Sequence, residues 1–377
     1  ILIQAVASPI ETTRKKVGLV LSGGGAKGMA HIGALKVIEE AGIPIDYVVG
    51  TSMGSIIGGL YAIGYTPEQM DSMVRVQDWS FLLSDRTPRS DKNMAEREVD
   101  EQYVISVPFS KNSIKEVTGG LIKGQNIANL FSELTLGYHD SIDFNQLPIP
   151  FACVSEDIVK GEEKVFHDGV LATAMRASMA IPGVFTPVRL DSMVLVDGGV
   201  VNNYPVNVAR EMGADIIIGV DVQRDFHTKE EINSMAIIMD QIIAMSDIDA
   251  YSRAKEDADI YIKPELAKYG MMDFNSHDTI IAIGEAAARE YLPQLKRLAD
   301  SIRNIQDYKM IRPNVVPIDS IYVVTLKVIG VNEENANFIR KSIKKNYPSK
   351  IAISDMENAI MSITATGYYK DRWYDLV

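Results

Sequence analysis

Residues 17–55 decide the fold, and their sequence is VGLVLSGGGAKGMAHIGALKVIEEAGIPIDYVVGTSMGS. A short apolar run, Val17 to Leu21, ends in three glycines, and a helical pattern follows from Met29 to Ala41, where Gly42 stops it. A second apolar run, Ile45 to Val49, turns through a glycine into another helix. Strand, helix, strand and helix at this spacing predict parallel strands with right-handed crossovers, and therefore an α/β layered domain.

The pattern continues along the chain. Further strands are predicted at Phe151 to Val154, Val194 to Val196 and Ile216 to Val220, with a helix beginning near Pro205 between the last two. Longer helices are predicted from Thr228 to Met245 and from His277 to Ile302. The charged, weakly periodic region from Trp79 to Val117 is interpreted as an excursion from the sheet that could cap a site. Its apolar cluster, Trp79 with 81–83, is expected to pack in the core rather than on a membrane.

Bulk composition limits the function classes. With 377 residues, 46% of them hydrophobic, the chain can form one large domain and a small one. A net charge of −12 without a dense Lys/Arg run disfavours nucleic-acid binding. The single cysteine, Cys153, excludes an internal disulfide and is predicted to be a small buried apolar residue. No stretch approaches the roughly 20 apolar residues that span a bilayer.

The first glycine cluster lies between a strand and a helix. Residues Gly23 to Gly28 satisfy the spacing G-x-G-x-x-G. A dinucleotide site would also need an acidic residue after the second strand, and none is there; the phosphate-loop pattern fails because Met29 follows Gly28. Consecutive glycines before a helix instead present free backbone N–H groups, and these can stabilise an oxyanion.

The second motif is Gly50-Thr51-Ser52-Met53-Gly54, again between a strand and a helix. A sharp turn of this kind exposes a nucleophilic serine, and the flanking glycines relieve crowding. A common hydrolase triad would then need a histidine, but none of the five histidines lies in a suitable turn, and each is interpreted as structural. His167-Asp168 does not match a metal site either. The third motif is Asp197-Gly198-Gly199, an aspartate in a glycine turn, which follows the strand at Val194.

Together these three blocks resemble the patatin-like phospholipase family over about residues 16–302. The resemblance implies a three-layer fold with a mainly parallel central sheet and a Ser–Asp dyad that needs neither histidine, metal nor cofactor. It implies Ser52 as nucleophile and Asp197 as base, with an oxyanion hole from the backbone of Gly23, Gly24 and Gly25. The same motifs make the following residues supporting: Lys27, Gly28, Gly50, Gly54, Gly198 and Gly199. The implied substrate is a phospholipid or another lipid ester, reached at a membrane interface.

The C-terminal part differs in composition after Arg312-Pro313. A strand from Ile321 to Ile329, helices at 333–346 and 354–366 and a Tyr-rich end resemble a polypeptide-transport-associated (POTRA) domain, a small α+β unit that precedes outer-membrane β-barrels. The predicted organisation is therefore a leader or signal-peptide remnant at 1–14, suggested by Ala5-Val6-Ala7, an esterase domain at 15–305, a linker at 306–317 and a POTRA-like domain at 318–377.

This organisation predicts a bacterial cell-envelope protein, outer-membrane-associated or secreted rather than cytoplasmic. It allows an outer-membrane barrel and a homo-oligomer as partners. Several functions stay open beside a lipid acyl hydrolase of phospholipase A or lysophospholipase type. One is an acyltransferase that uses the same dyad, and another is a non-catalytic transport or binding module.

Overall fold

The computed structural model describes residues 14–85, 120–303 and 320–353, with gaps at 225, 234, 246–247, 329–330 and 343–346, and also 355, 356, 359 and 363. The predictions for residues 1–13, for most of the excursion up to Val117, for the linker and for the C-terminal Tyr-rich end lie outside these residues. The predicted helix at 354–366 lies largely outside them.

The described strands form one large sheet and three small pairs. Their bounds are β1 Val17–Leu21, β2 Tyr47–Thr51, β3 Gly120–Ile122, β4 Ile142–Asp143, β5 Phe151–Asp157, β6 Glu162–Phe166, β7 Asp168–Gly169, β8 Gly183–Phe185, β9 Val188–Leu190, β10 Met193–Asp197, β11 Ile216–Val220, β12 Ile260–Ile262, β13 Ser320–Val323 and β14 Ser349–Ala352. The large sheet has the order β12-β11-β1-β2-β5-β10-β9, and β6 also pairs with β5.

The described helices connect and cover these strands. Their bounds are α1 Ala30–Ala41, α2 Met53–Ala62, α3 Pro67–Val76, α4 Trp79–Leu82, α5 Gln125–Leu134, α6 Leu171–Ser178, α7 Val206–Glu211, α8 Met235–Met245, α9 Ile248–Asp257, α10 His277–Glu290, α11 Leu292–Arg303 and α12 Glu333–Ser342. Short 3₁₀ turns include Gly25–Met29 before α1 and Gly198–Val200 after β10.

The sheet is parallel through β12, β11, β1, β2 and β5, and antiparallel where β10, β9 and β6 join it. Alternate residues of the buried strands face opposite sides: Val17, Leu19 and Leu21 belong to the larger core, whereas Val20 belongs to the smaller one. Helices α1, α2, α6, α10 and α11 pack in the larger core, and α7 and α9 cover the other face. The predicted three-layer α/β fold with a mainly parallel central sheet is therefore confirmed.

Several predicted boundaries were wrong. The helix expected from Thr228 begins at Met235, and the one expected over His277 to Ile302 divides at Tyr291. Pro293 explains this division, because proline lacks an N–H donor and is tolerated only in the first turn of a helix. The strand expected to reach Ile329 ends at Val323.

The apolar cluster near residue 80 packs in the core, as predicted. Trp79 and Leu82 are buried, and the Trp79 ring stacks on Phe274 at 4.9 Å between centroids. Cys153 is fully buried in β5, also as predicted. Among the described helices, none combines the length and the apolar character needed to cross a membrane.

Candidate active site

Ser52 occupies a strained turn between β2 and α2. Its φ of 53° and ψ of −123° lie in a region that L residues rarely adopt. The turn closes tightly because glycine flanks it: a Cβ on Gly50 would lie 2.3 Å from the carbonyl oxygen of Gly54, and a Cβ on Gly54 would lie 2.2 Å from that of Leu21. This backbone directs the Ser52 side chain out of the sheet at the N-terminus of α2.

Asp197 ends β10 and contacts Ser52 directly. Ser52 Oγ donates to Asp197 Oδ2 at 2.7 Å, and the Gly199 N–H donates to Asp197 Oδ1 at 2.8 Å. The Asp197 N–H donates to the carbonyl of Ala180 at 3.0 Å, which fixes the aspartate backbone. A Cβ on Gly198 would lie 2.2 Å from the Val154 carbonyl oxygen, so this glycine permits the close approach of the turn to β5.

Strand register explains how residues 145 positions apart meet. In the parallel pair of β2 and β5, Thr51 lies opposite Val154. In the antiparallel pair of β10 and β5, Asp197 lies opposite Ser155. Ser52 and Asp197 therefore reach the same level of the sheet from the two sides of β5.

Burial controls the charge on the aspartate. Asp197 is 1% exposed, and desolvation raises its pKa from 3.8 to about 6, although the hydrogen bonds from Ser52 and Gly199 oppose the rise. A carboxylate with this pKa accepts a proton from a neighbour more readily than an exposed one does.

The glycine loop lies against the serine, but its three glycines are not equivalent. The Gly23 N–H donates to the carbonyl of Asn203 at 3.1 Å, so it is not free in this conformation, and its role at an oxyanion stays a prediction. The amides of Gly24 and Gly25 make no hydrogen bond with the part of the chain that the structure describes. Gly25 has a φ of 56°, and a Cβ there would lie 2.5 Å from the Met271 carbonyl oxygen.

Lys27 is fully buried beside this loop. Its Nζ lies 3.5 Å from Asp240 Oδ2, which also contacts His227 Nε2 at 2.9 Å. Burial lowers the pKa of Lys27, and the Asp240 carboxylate partly opposes that effect. Gly28 packs on the next element, because a Cβ there would lie 2.3 Å from Met53 Cγ.

The five histidines lie among the described residues, and none hydrogen-bonds to Ser52 or Asp197. His31, for example, is buried with Nε2 at 2.9 Å from the Ser22 carbonyl, and burial lowers its pKa to about 4. The described residues offer no group of three or more side chains suited to a metal ion.

Sequence reasoning missed two kinds of residue. Ser178 Oγ accepts from the Ser52 N–H at 3.0 Å and donates to the Val154 carbonyl at 2.6 Å, so it anchors the serine turn to β5. Asn203 and Gln223 line a cavity of about 10 Å³ beside Ser52 and Asp197. No local motif marks these residues, since only the folded chain brings them to the site.

Comparison with known proteins now places the chain in a family. A family model described as patatin-like phospholipase matches residues 19–210, the segment that carries the glycine loop, Ser52 and Asp197. This chain belongs to the patatin-like phospholipase family. The predicted family and, at the level of the family, the predicted class of lipid ester hydrolases are thereby confirmed.

Curated relatives match about three quarters of the chain and are much longer than it. Lysophospholipase NTE1 of Pyricularia oryzae is 28% identical in an alignment 315 positions long, which covers 75% of this chain and 19% of the relative. A patatin-like phospholipase domain-containing protein of Caenorhabditis elegans is 30% identical over 310 residues, 75% of this chain and 21% of the relative. Patatin-like phospholipase domain-containing protein 6 of Mus musculus is 29% identical in an alignment 299 positions long. The alignment covers 72% of this chain and 20% of the relative. The chain thus spans about a fifth of the length of these relatives.

Two solved structures match the chain with low similarity. VipD from Legionella pneumophila has a TM-score of 0.41 and 14% identity, covering 74% of this chain and 67% of that one. The ExoU–SpcU complex from Pseudomonas aeruginosa has a TM-score of 0.35 and 19% identity, and the match covers 76% of this chain and 52% of that one.

The predicted location in a bacterial cell envelope was wrong. The curated relatives are lysophospholipases and patatin-like phospholipase domain-containing proteins from fungi, a nematode and mammals, which are not bacterial envelope proteins. The prediction depended on the resemblance of the C-terminal part to a POTRA domain, whose motifs are loose compared with those of the patatin-like part.

Proposed function

We propose that this patatin-like chain hydrolyses lipid acyl esters, of phospholipase A or lysophospholipase type, with Ser52 as nucleophile and Asp197 as general base. The observation that carries the proposal is the 2.7 Å hydrogen bond from Ser52 Oγ to Asp197 Oδ2, at a strained strand-to-helix turn. The names of the relatives, which include lysophospholipases, support the substrate class.

The reaction follows from this geometry. Ser52 Oγ attacks the ester carbonyl carbon while Asp197 takes the hydroxyl proton. The new oxygen–carbon bond gives a tetrahedral oxyanion; as it collapses, the bond from carbon to the alcohol breaks and the proton passes from Asp197 to the departing alkoxide. Water then attacks the carbonyl carbon of the acyl-serine and loses a proton to Asp197, which gives a second tetrahedral oxyanion. As it collapses, the bond from carbon to Ser52 Oγ breaks, the proton passes from Asp197 to Ser52 Oγ, and the fatty acid leaves.

The oxyanion would be held by the amides of Gly24 and Gly25. They are the loop N–H groups left without a described partner, whereas the Gly23 N–H donates to Asn203. Loss of a single oxyanion donor typically costs about 10²- to 10³-fold in kcat, so these two amides would provide a large part of the rate enhancement.

The lipid would reach the site from a membrane surface in contact with helix α8. Ile238, Ile242 and Met245 follow a helical spacing and are 40%, 45% and 55% exposed. The same helix contributes Ile243 and Ala244 to the cavity beside Ser52, so its exposed apolar face adjoins the site. Unlike the buried cluster at Trp79, this face is available for contact with a membrane interface.

A vesicle assay tests the role of α8. The change of Ile238 and Ile242 together to serine should reduce co-sedimentation with phosphatidylcholine vesicles and leave hydrolysis of a soluble short-chain ester in place. Val159→Ser is the control, because Val159 is 62% exposed elsewhere. Vesicle binding that the double change does not reduce would remove α8 from the proposal.

Two other readings share the same site. An acyltransferase would pass the acyl group from Ser52 to an acceptor alcohol instead of water, and a non-catalytic binding module would perform no turnover. The buried Ser52–Asp197 pair favours catalysis, because desolvating an aspartate that does no chemistry costs stability. Chromatography of the products, with and without an added acceptor alcohol, separates hydrolysis from transfer.

We also propose that the C-terminal region is a separate POTRA-like domain, which takes no part in the chemistry. Strand β13 pairs antiparallel with β14, and α12 lies between them in sequence. The domain boundaries can be examined by limited proteolysis, which should cut between residues 303 and 320. The homo-oligomer stays a prediction, whereas the outer-membrane barrel depended on the bacterial location that the relatives contradict.

The central experiment measures fatty-acid release from lysophospholipid and from a short-chain ester. Ser52→Ala and Asp197→Asn should fall to background, while Ser301→Ala and Asp300→Asn, matched changes at the exposed Ser301 and Asp300, should keep wild-type activity. Circular dichroism checks that each variant is folded. If Ser52→Ala keeps full activity, the assignment of the nucleophile is wrong.

A further inference from the structure

A cleft of about 500 Å³ opens next to the cavity at Ser52. One wall is the segment from Val201 to Asn207, which follows the Asp197 turn, and the opposite wall is α9. Four residues line both the cleft and the Ser52 cavity: Asn203, Gln223, Ile243 and Ala244. The Ser52 cavity alone holds little more than one water molecule, so a lipid ester bound there must extend into neighbouring space.

The position of the cleft relative to Ser52 and Asp197 indicates which half of the ester it would hold. The proton that Asp197 takes from Ser52 must reach the departing alcohol, so that alcohol has to leave within reach of Asp197. The cleft begins at Asn202 and Asn203, directly after the turn that Asp197 starts. The alcohol half of the ester, rather than its acyl chain, is therefore suited to this space.

The cleft walls carry polar side chains among apolar ones. Asn202 Nδ2 donates to Glu163 Oε1 and to Asn207 Oδ1, at 2.9 Å in each case. Asp257 and Arg253 lie on the opposite wall. An acyl chain would remove water from these groups without replacing its hydrogen bonds, which is unfavourable. A polar alcohol that carries hydrogen-bond acceptors would not incur this cost.

Gln223 stands at the neck that joins the two spaces. Its backbone is fixed, because its N–H donates to Asp221 Oδ1 at 3.0 Å and its carbonyl accepts from Lys263 Nζ. Its side-chain Nε2 is buried and has no hydrogen-bond partner among the described residues. A buried amide without a partner is costly, so this group is suited to donate to an oxygen of a bound molecule.

The charges on the walls define the class of alcohol. Arg253 makes no ion pair with the described residues and can face an anion, while Glu163 on the other wall can face a cation. Asp257 is already paired with Arg210 at 3.0 Å. A ligand that carries an anion for Arg253 and a cation for Glu163 is a zwitterion. A phosphodiester joined to an ammonium, as in a lipid head group, has these two charges.

We propose that the cleft between Val201–Asn207 and α9 binds the zwitterionic glycerophosphodiester half of the substrate, with Gln223 donating to it at the neck. The inference rests on the proposed function, since it assigns the leaving-group side of the same reaction. It makes the cleft a determinant of which lipid esters are hydrolysed well.

Paired substrates with the same acyl chain test this subsite. Octanoyl lysophosphatidylcholine carries the head group, and 4-nitrophenyl octanoate does not. In Gln223→Leu and Asn207→Leu, the ratio of kcat/KM for the first substrate to kcat/KM for the second should fall about tenfold, because each change removes a polar side chain that would contact the head group. Gln294→Leu, the same chemical change on the exposed face of α11, should leave the ratio unchanged. An unchanged ratio in both cleft variants would overturn the proposal.

A binding measurement separates this inference from the proposed activity. Glycerophosphocholine is added to the Ser52→Ala protein and followed by saturation-transfer NMR. Binding that Gln223→Leu abolishes and that glycerol does not reproduce supports the subsite even if wild type hydrolyses no ester, in which case the proposed function alone fails. Absence of binding to Ser52→Ala, or equal binding to the Gln223→Leu protein, would exclude the subsite even in an active esterase.

Discussion

Replacing Asp197 with asparagine should make the fold more stable at neutral pH. In the folded protein, burial raises the pKa of this carboxyl from 3.8 to about 6. Above pH 6 the group is ionised in both the folded and the unfolded state, and the folded state alone bears the desolvation cost. At 1.36 kcal/mol for each pKa unit, that cost is about 3 kcal/mol. Asparagine of the same shape carries no charge and removes it.

The gain should be smaller than this maximum and should depend on pH. Asparagine cannot accept from both Ser52 and Gly199 as the carboxylate does, and one weakened hydrogen bond costs about 1 kcal/mol. A net gain of about 2 kcal/mol in the free energy of unfolding is therefore expected above pH 6. It should vanish as the pH falls through 6 toward 3.8, because the folded wild type is then protonated and neutral as well.

Urea unfolding followed by circular dichroism, in a pH series, measures this difference. Asp143→Asn is the control, and its stability change should have the opposite sign. The hydrogen bond from the Asn145 backbone lowers the pKa of the exposed Asp143, so loss of the Asp143 charge should destabilise the fold at neutral pH. If Asp197→Asn is no more stable than wild type at neutral pH, or if its advantage persists toward pH 3.8, the carboxyl does not have a raised pKa and the argument for its basicity fails.

Three other outcomes are expected. kcat/KM for a soluble ester should rise with pH through about 6, since Asp197, the proposed base, must be ionised to accept the serine proton; a profile that turns near 4 would contradict the raised pKa. Gly25→Ala should lose about 100-fold in kcat, because its Cβ would meet the Met271 carbonyl at 2.5 Å, whereas Gly161→Ala, also at positive φ but in open space, should keep its activity in the same assay. Cys153 should resist thiol reagents such as 5,5′-dithiobis(2-nitrobenzoate) in the folded protein, because burial raises the pKa of its thiol; rapid labelling would show that the core around β5 opens.

Sequence alone determined the fold class and singled out two side chains, Ser52 and Asp197. The apolar runs ending in Gly23 and Gly50 predicted β1 and β2, because periodicity and glycine punctuation are local properties of the chain. Ser52 and Asp197 stood out because each follows a strand and is flanked by glycine. Local signals were less reliable for element ends, as the division of the helix before Pro293 shows.

Only the tertiary structure decided how these parts meet. The register of β10 on β5 brings Asp197 to the level of Ser52, and register depends on pairing between residues far apart in sequence. The same is true of the Gly23 amide, which donates to the Asn203 carbonyl, and of Ser178, which anchors the Ser52 turn. Burial of Asp197, and with it the raised pKa, also comes from the packing of distant elements. The sequence can name an aspartate, but the surrounding protein determines how strong a base it is.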